Sequence, residues 1–124
     1  MASRLDERGL EGEGMDLGEG LFVSQTSATD WTADPDVPGT TMHEVIRRDG
    51  VWVGMSRIDS TAGPIAWTPA SRETALILEG SVRIEFEGRP SVELGPGDIV
   101  SFPAGLAMTW HVTTPFKELW MFAG

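Results

Sequence analysis

Glu73 is the residue whose type and setting most clearly suggest chemistry in this chain. It lies in the segment ETALIL, where the alternation of a β-strand places Glu73 and Ala75 on one face. A carboxyl group that faces an apolar interior has a raised pKa, because burial penalises its charged form, and such a group suits general acid or base catalysis. The alternative is that Glu73 is held by an inward arginine or by backbone donors. The candidate arginines are Arg57, Arg72 and Arg83.

The other reactive residue types form no recognisable motif. The chain has no Cys and two His, His43 and His111, which excludes disulfides, Fe–S clusters and thiolate zinc sites. No G-x-S-x-G motif and no Ser-His-Asp arrangement is visible along the sequence. No phosphate-binding loop or dinucleotide fingerprint occurs, because no βαβ unit is available to host one. We therefore expect no cofactor.

Composition limits the classes of partner. A chain of 124 residues fits one domain with its own core. Its net charge is −10 and Lys117 is its only lysine, so nucleic acid and acidic membrane surfaces are poor partners. No apolar run approaches the roughly 20 residues of a membrane span, and the N-terminus lacks the apolar centre of a signal peptide. We expect a cytoplasmic protein.

The pattern beyond residue 40 is typical of β-structure. The apolar segments MHEVIRR and VWVGMSRI flank Asp49-Gly50, which is a strong hairpin signal. ETALIL and SVRIEFE flank Glu79-Gly80, which predicts a second tight reversal. The spacing of the turn residues predicts roughly nine short strands, an all-β barrel or sandwich and little helix.

Three segments are predicted. Residues 1–20 are Gly-rich and acidic, so we expect a disordered tail that cannot bury enough apolar surface to fold. Residues 21–40 mix short apolar pieces with turn formers and are predicted to form an irregular arm. Residues 41–124 are predicted to form the β-barrel domain.

Two segments, ETALIL and FKELWMF, are apolar on both faces. Leu76 lies opposite Glu73, and Leu119 and Met121 lie opposite Trp120. A small barrel has one interior, so the outer faces of these strands need a cover as well. We favour a homodimer, with the N-terminal arm contributing to the cover.

Two spaced signatures connect this pattern to a known family. The first is Glu73, six residues and Gly80; the second is Gly97, five residues, Pro103, one residue and Gly105. Together they resemble the paired motifs of the cupin superfamily, small barrels that usually hold a metal. The barrel segment resembles the cupin group that includes the ureidoglycine aminohydrolases and the ethanolamine-utilisation Q protein. The resemblance implies a cupin-type double-stranded β-helix, the RmlC-like jelly roll.

The same resemblance implies a metal site of three histidines and one glutamate, and here this sequence departs from it. The histidine positions hold Trp67 and Pro69 (or Ala66 and Thr68), and Met108. Only Glu73 matches. A Met thioether is a poor ligand for Mn, Fe or Zn, and His111 alternates to the face opposite Met108. We therefore predict a barrel without a metal.

A ligand pocket is predicted beside these vacated positions. Its expected residues are Trp67, Glu73, Ala75, Met108 and Trp110. Trp52 and Trp120 are expected to fill the core instead, since aromatic rings supply buried area efficiently.

Three functions remain open from the sequence. The chain is predicted to be a metal-free small-molecule-binding or accessory protein, which an open pocket with Glu73 paired to an arginine would favour. The first alternative is a metal-independent hydrolase or isomerase, acting through Glu73 on a small carbonyl, amide or sugar-like substrate. An open pocket with an unpaired Glu73 would favour it. The second is a structural dimerisation domain, which a filled barrel would favour.

Overall fold

The computed structural model describes residues 14–60 and 63–124, and every regular element in these residues is a β-strand. The strands are β1 (Met15–Gly18), β2 (Leu21–Val23), β3 (Thr32–Ala33), β4 (Thr40–Arg48), β5 (Val51–Ile58), β6 (Ile65–Trp67), β7 (Arg72–Phe86), β8 (Arg89–Leu94), β9 (Ile99–Phe102) and β10 (Met108–Ala123). The all-β prediction is confirmed. Over the described residues, no helix is long and apolar enough to cross a membrane.

Two long strands organise the barrel. Strands β7 and β10 span 15 and 16 residues and pair with each other along nearly their whole length. The main sheet runs β3-β4-β5-β10-β7-β8, with β6 beside β10 and β9 beside β7. All of these pairings are antiparallel. Residues from both halves of β7 and β10 therefore face one interior.

The hairpin predicted at Asp49-Gly50 is confirmed. Strands β4 and β5 pair up to Arg48 and Val51, which flank the two-residue turn. Both turn residues have positive φ, 58° at Asp49 and 76° at Gly50, as a type I′ turn requires. This turn sets the register of β4 and β5.

The reversal predicted at Glu79-Gly80 is wrong. Strand β7 continues through both residues and bends there instead. Gly80 has a φ of 76°, and a Cβ on it would lie 2.4 Å from the carbonyl oxygen of Pro115 and 2.7 Å from that of Thr113. Glycine therefore permits both the backbone conformation and the close passage of β10. Because β7 and β10 are each one continuous strand where two were predicted, the described residues after 39 form seven strands, from β4 to β10, rather than about nine.

Apolar side chains fill part of the interior. The buried cluster consists of Ile58, Ile77, Val82, Ile84, Phe102, Met108, Trp110 and Phe116. Along β7 the buried positions change from odd numbers before Gly80 to even numbers after it, because the bend turns the strand.

The N-terminal arm contacts the outer face at β4 and at one residue of β10. His43 on β4 is 2% exposed, and its Nε2 lies 2.5 Å from the Ser24 hydroxyl oxygen. Its Nδ1 lies 3.0 Å from both the carbonyl and the carboxylate oxygens of Asp30. Lys117 on β10 donates a hydrogen bond to the Thr26 carbonyl at 2.9 Å. These contacts fasten the arm to β4 and β10.

A Ser-His-Asp arrangement, not visible along the sequence, is thus formed by Ser24, His43 and Asp30. Its members come from the arm and from β4, so only the folded chain brings them together. None of the three lines a cavity among the described residues. Its evident role is to hold the arm.

The predicted tail needs a partial correction. Residues 1–13 lie outside the described residues, whereas Met15–Gly18 forms β1 and pairs with β2. The turn between them uses positive φ at Gly18, Glu19 and Gly20, so the glycines that suggested disorder serve a hairpin. Strand β4 begins at Thr40, and the short β3 before it pairs with β4 in the main sheet. The wider segment boundaries stay predictions.

Apolar side chains remain on the outer face beyond the arm. Ile99 is 68% exposed and Met121 is 41% exposed. Ile99 pairs with Leu76, which pairs with Leu119 on β10, so these residues form a row across three strands. The predicted homodimer would cover this row, and it stays a prediction.

Replacing Gly80 by Ala should destabilise the barrel strongly, because the new Cβ meets two backbone carbonyls at a positive φ. Gly88 is a matched control: its φ is 70°, but a Cβ there meets nothing within 4 Å. We expect a loss of about 1 kcal/mol in unfolding free energy for Gly88→Ala and at least about 3 kcal/mol for Gly80→Ala. Urea denaturation measures both losses. Equal losses would show that the close approach of β10 to Gly80 does not add to the destabilisation.

Candidate functional site

The barrel encloses a cavity of about 90 Å³, enough for several water molecules or a small ligand. Its lining consists of Asp34, Asp36, Val37, Thr40, Met42, Trp52, Ser56, Ile58, Ile65, Trp67, Glu73, Trp110, Phe116, Glu118, Trp120 and Phe122. The segment between β3 and β4 contributes three of these residues, and Asp36 is exposed. The cavity therefore opens to solvent beside this segment.

The structure brings together three of the five residues predicted for the pocket. Trp67, Glu73 and Trp110 line the cavity. Ala75 and Met108 do not; both are buried, and Met108 packs in the apolar cluster. A flexible thioether fills irregular core space well, and Met108 does so here.

Two tryptophans expected in the core, Trp52 and Trp120, also line the cavity, although Trp120 is buried in the core as expected. Trp120 donates its indole N–H to the Ser56 hydroxyl at 2.7 Å, and Trp52 donates to the Glu44 carboxylate at 2.8 Å. The two rings meet edge to face, with centroids 4.9 Å apart. The cavity thus takes its side walls from four of the five tryptophans.

Glu73 is buried in this aromatic setting. Its residue is 3% exposed, and its Oε1 accepts a 2.7 Å hydrogen bond from the indole Nε1 of Trp67. Burial raises the pKa of Glu73 to about 7, although the hydrogen bond from Trp67 lowers it in part. Near neutral pH the group can both accept and release a proton, which is the property of a general acid or base.

None of the candidate arginines pairs with Glu73. Arg57 lies 3.6 Å from Asp59, Arg83 lies 3.4 Å from Glu85, and Arg72 donates to the Ser101 hydroxyl at 3.0 Å. The alternation of the strands directs these side chains to the outer face. Glu73 has no compensating positive charge among the described residues of the lining.

A second buried carboxyl, Glu118, was missed from the sequence. It is 6% exposed, and its pKa is raised well above the usual range by burial and then by the nearby charge of Glu73. Strand alternation places it on the same face as Phe116 and Trp120, so the signal was present. It was overlooked because an acidic residue inside an apolar segment is more often solvated.

The donor set does not fit the metal site that the family resemblance implies. Trp67 donates an N–H to Glu73 rather than offering a lone pair, and Met108 is part of the core. His43 lies under the arm, and His111 hydrogen-bonds to Glu85. Residues 14–60 and 63–124 contain no group of three or more His, Cys, Asp or Glu that could hold a metal ion. The metal-free barrel stays a prediction.

Three buried polar atoms in the lining have no hydrogen-bond partner. They are Thr40 Oγ1, Trp110 Nε1 and Glu118 Oε2. Buried polar groups are nearly always paired with protein, water or a ligand. The three atoms belong to residues that line one cavity, which makes this cavity a candidate site for a polar molecule.

The comparisons with known proteins agree with this architecture. Residues 53–118 match the sequence model of the family described as the EutQ-like cupin domain. No curated protein matches the chain.

Solved structures with the same fold cover nearly the whole chain. A protein described as ethanolamine utilization protein Q of Salmonella typhimurium has a TM-score of 0.72 at 17% identity, over 89% of this chain and 91% of that one. The EutQ protein of Clostridium difficile has a TM-score of 0.66 at 17% identity, over 87% and 90%. An RmlC-like cupin of Shewanella frigidimarina has a TM-score of 0.68 at 13% identity, over 90% and 93%. The predicted jelly roll is confirmed.

The two buried carboxyls should make stability depend on pH. Because the pKa of Glu73 rises from 4.5 to about 7 on folding, its contribution is fully present below pH 4.5 and is lost as the pH rises toward 7. The loss should be roughly 3 kcal/mol. Glu118 acts in the same direction. Glu73→Gln and Glu118→Gln should therefore stabilise the protein more at pH 8 than at pH 5.

Urea denaturation of each variant and the parent at both pH values measures this difference. Glu93→Gln removes an exposed carboxyl outside the cavity and serves as the control. If the unfolding free energy of each variant differs from that of the parent by the same amount at both pH values, the carboxyls of Glu73 and Glu118 are not buried as described.

Proposed function

The chain belongs to the EutQ-like cupin domain family, and from that premise we propose that it is a small-molecule-binding protein that works without the usual cupin metal. Ligand enters the tryptophan-lined cavity beside the segment between β3 and β4. The role is that of a binding or accessory protein in metabolism.

One observation carries this proposal: the barrel interior holds a cavity with three unpartnered polar atoms on an apolar aromatic wall. A barrel that served only for dimerisation would be filled by its own side chains. Binding sites for small molecules combine a mostly apolar wall with a few polar groups, and this lining has that composition. The structural neighbours, at 13% to 17% identity, share a fold, and a fold hosts many functions.

Replacing Trp110 by Leu should weaken ligand binding, because the indole supplies both wall area and an unpartnered N–H. We expect a metabolite collection screened by thermal shift to yield ligands that stabilise the parent. A ligand at a hundredfold over its Kd adds about 2.7 kcal/mol. Titration followed by tryptophan fluorescence should then show at least about tenfold weaker binding by Trp110→Leu.

Trp31→Leu is the control, since Trp31 lies in the arm and outside the cavity lining. A ligand that binds Trp110→Leu as tightly as it binds the parent sits elsewhere. A broad collection without a single ligand would leave the dimerisation domain as the better proposal.

A second candidate function, acid–base catalysis by Glu73, is favoured by the state of that carboxyl. It lines an open cavity and has no arginine partner in the part of the chain that the structure describes, and burial raises its pKa to about 7. An unpaired carboxyl in this state suits proton transfer to or from a small carbonyl, amide or sugar-like substrate. The cavity would then be an active site of hydrolase or isomerase type.

Glu73→Gln tests the catalytic candidate. If the cavity catalyses proton transfer, any ligand found above should be converted by the parent, and turnover should fall by about 100-fold or more in Glu73→Gln while binding persists. The rate should change with pH around 7, where the carboxyl changes charge. NMR of ligand mixtures follows conversion, with Glu93→Gln as the control. Equal turnover by Glu73→Gln would remove this residue from the chemistry.

A further inference from the structure

The charge of the cavity lining has one sign. Asp34, Asp36, Glu73 and Glu118 are acidic, and no described residue of the lining is Lys, Arg or His. Asp34 and Asp36 belong to the segment at the mouth, whereas Glu73 and Glu118 are buried inside. A concave apolar site lined by one sign of charge attracts ligands of the opposite charge and repels ligands of the same charge.

The two inner carboxyls lack a compensating charge among the described residues of the lining. Burial raises the pKa of Glu118, and the charge of Glu73 raises it further. Glu118 Oε2 has no hydrogen-bond partner, and Glu73 receives only the neutral N–H of Trp67. Buried charges are normally paired, so a positive group entering the cavity would supply what both carboxyls lack.

The aromatic wall suits the same kind of ligand. Indole rings attract cations through the negative face of the π-system, and aromatic cages recognise alkylammonium groups in this way. One ring of this wall already does so: the guanidinium of Arg47, which lies outside the lining, sits 4.1 Å from the ring centroid of Trp52. The faces of Trp67 and Trp110 have no such cation among the described contacts.

We propose that the cavity binds a small alkylammonium compound that also carries an oxygen, with the cation between the indoles of Trp67 and Trp110 and the carboxylates of Glu73 and Glu118. The ligand is expected to carry an oxygen because two groups of the described lining need a partner: Trp110 Nε1 is a donor without an acceptor, and the hydroxyl of Thr40 is unpaired. This inference rests on the proposed small-molecule-binding function and names the class of its ligand.

Binding of the cation draws protons from the cavity. Glu73 and Glu118 bind the cation in their ionised form, and both pKa values are raised in the free protein. Asp34 and Asp36 at the mouth are the other titratable groups of the described lining. Affinity should therefore rise with pH through the neutral range, and protons should be released when the cation binds.

A matched pair of ligands tests the charge directly. Choline carries a quaternary ammonium and a hydroxyl, and 3,3-dimethylbutan-1-ol has the same shape without the charge; butyrate serves as the anion. By calorimetry at pH 8, choline should bind the full chain at least about tenfold more tightly than the neutral alcohol, and butyrate should not bind. The preference for choline should shrink at pH 5.5 and in Glu118→Gln, whereas Glu93→Gln should keep it.

The outcomes separate this inference from the function on which it rests. Equal binding of choline and the alcohol, or tighter binding of butyrate, overturns the cationic ligand class and leaves small-molecule binding in place. Failure of all three compounds to bind at millimolar concentration also overturns it, while the broad metabolite screen decides the proposed function separately. If Glu118→Gln does not fold, the pH dependence of the parent decides, and a choline preference unchanged between pH 5.5 and 8 overturns the role of the carboxylates.

Discussion

Two carboxyl groups, Glu73 and Glu118, are buried in the barrel without a basic partner among the described residues, and the character of the cavity follows from them. Burial disfavours the charged form of each group, and the nearby charge of Glu73 disfavours that of Glu118 further. The fold must tolerate this cost, which an apolar pair of the same size would avoid. Retaining both groups at the wall of an open cavity therefore indicates a use for them.

The jelly roll determines where these carboxyls meet. Glu73 lies in the first half of β7 and Glu118 in the second half of β10, and the register of the two strands sets Glu73 opposite Phe122 and Glu118 opposite Ile77. Both strands stay continuous past the bend at Gly80, where glycine lets the backbones approach. That single bend lets one pair of strands supply a packed cluster of apolar side chains and the wall of a cavity.

The motif spacing predicts that Trp67, or alternatively Ala66, takes one of the positions where cupins usually carry a metal ligand. The N–H of Trp67 holds Glu73, the carboxyl that the family resemblance implies for the metal. The hydrogen bond to Oε1 orients this carboxyl at the wall of the cavity. The interior has not collapsed: it keeps a cavity whose wall is aromatic and whose charged groups, among the described residues, are acidic.

The sequence alone determined the pattern of strands and turns and the family. Asp49-Gly50 specifies its turn through residues that accept positive φ, and the spacing from Glu73 to Gly105 identifies the cupin motifs, because both depend on local backbone geometry. Alternation also placed Glu73 inside, and it could have placed Glu118 there. Tertiary structure alone decided whether Gly80 reverses or bends the chain, since this depends on the passing carbonyls of β10. It also decided which tryptophans line the cavity. The arm brings Ser24 and Asp30 to His43 only in the folded chain. These contacts join residues that are far apart in the chain. No local sequence pattern specifies the strand packing that creates them.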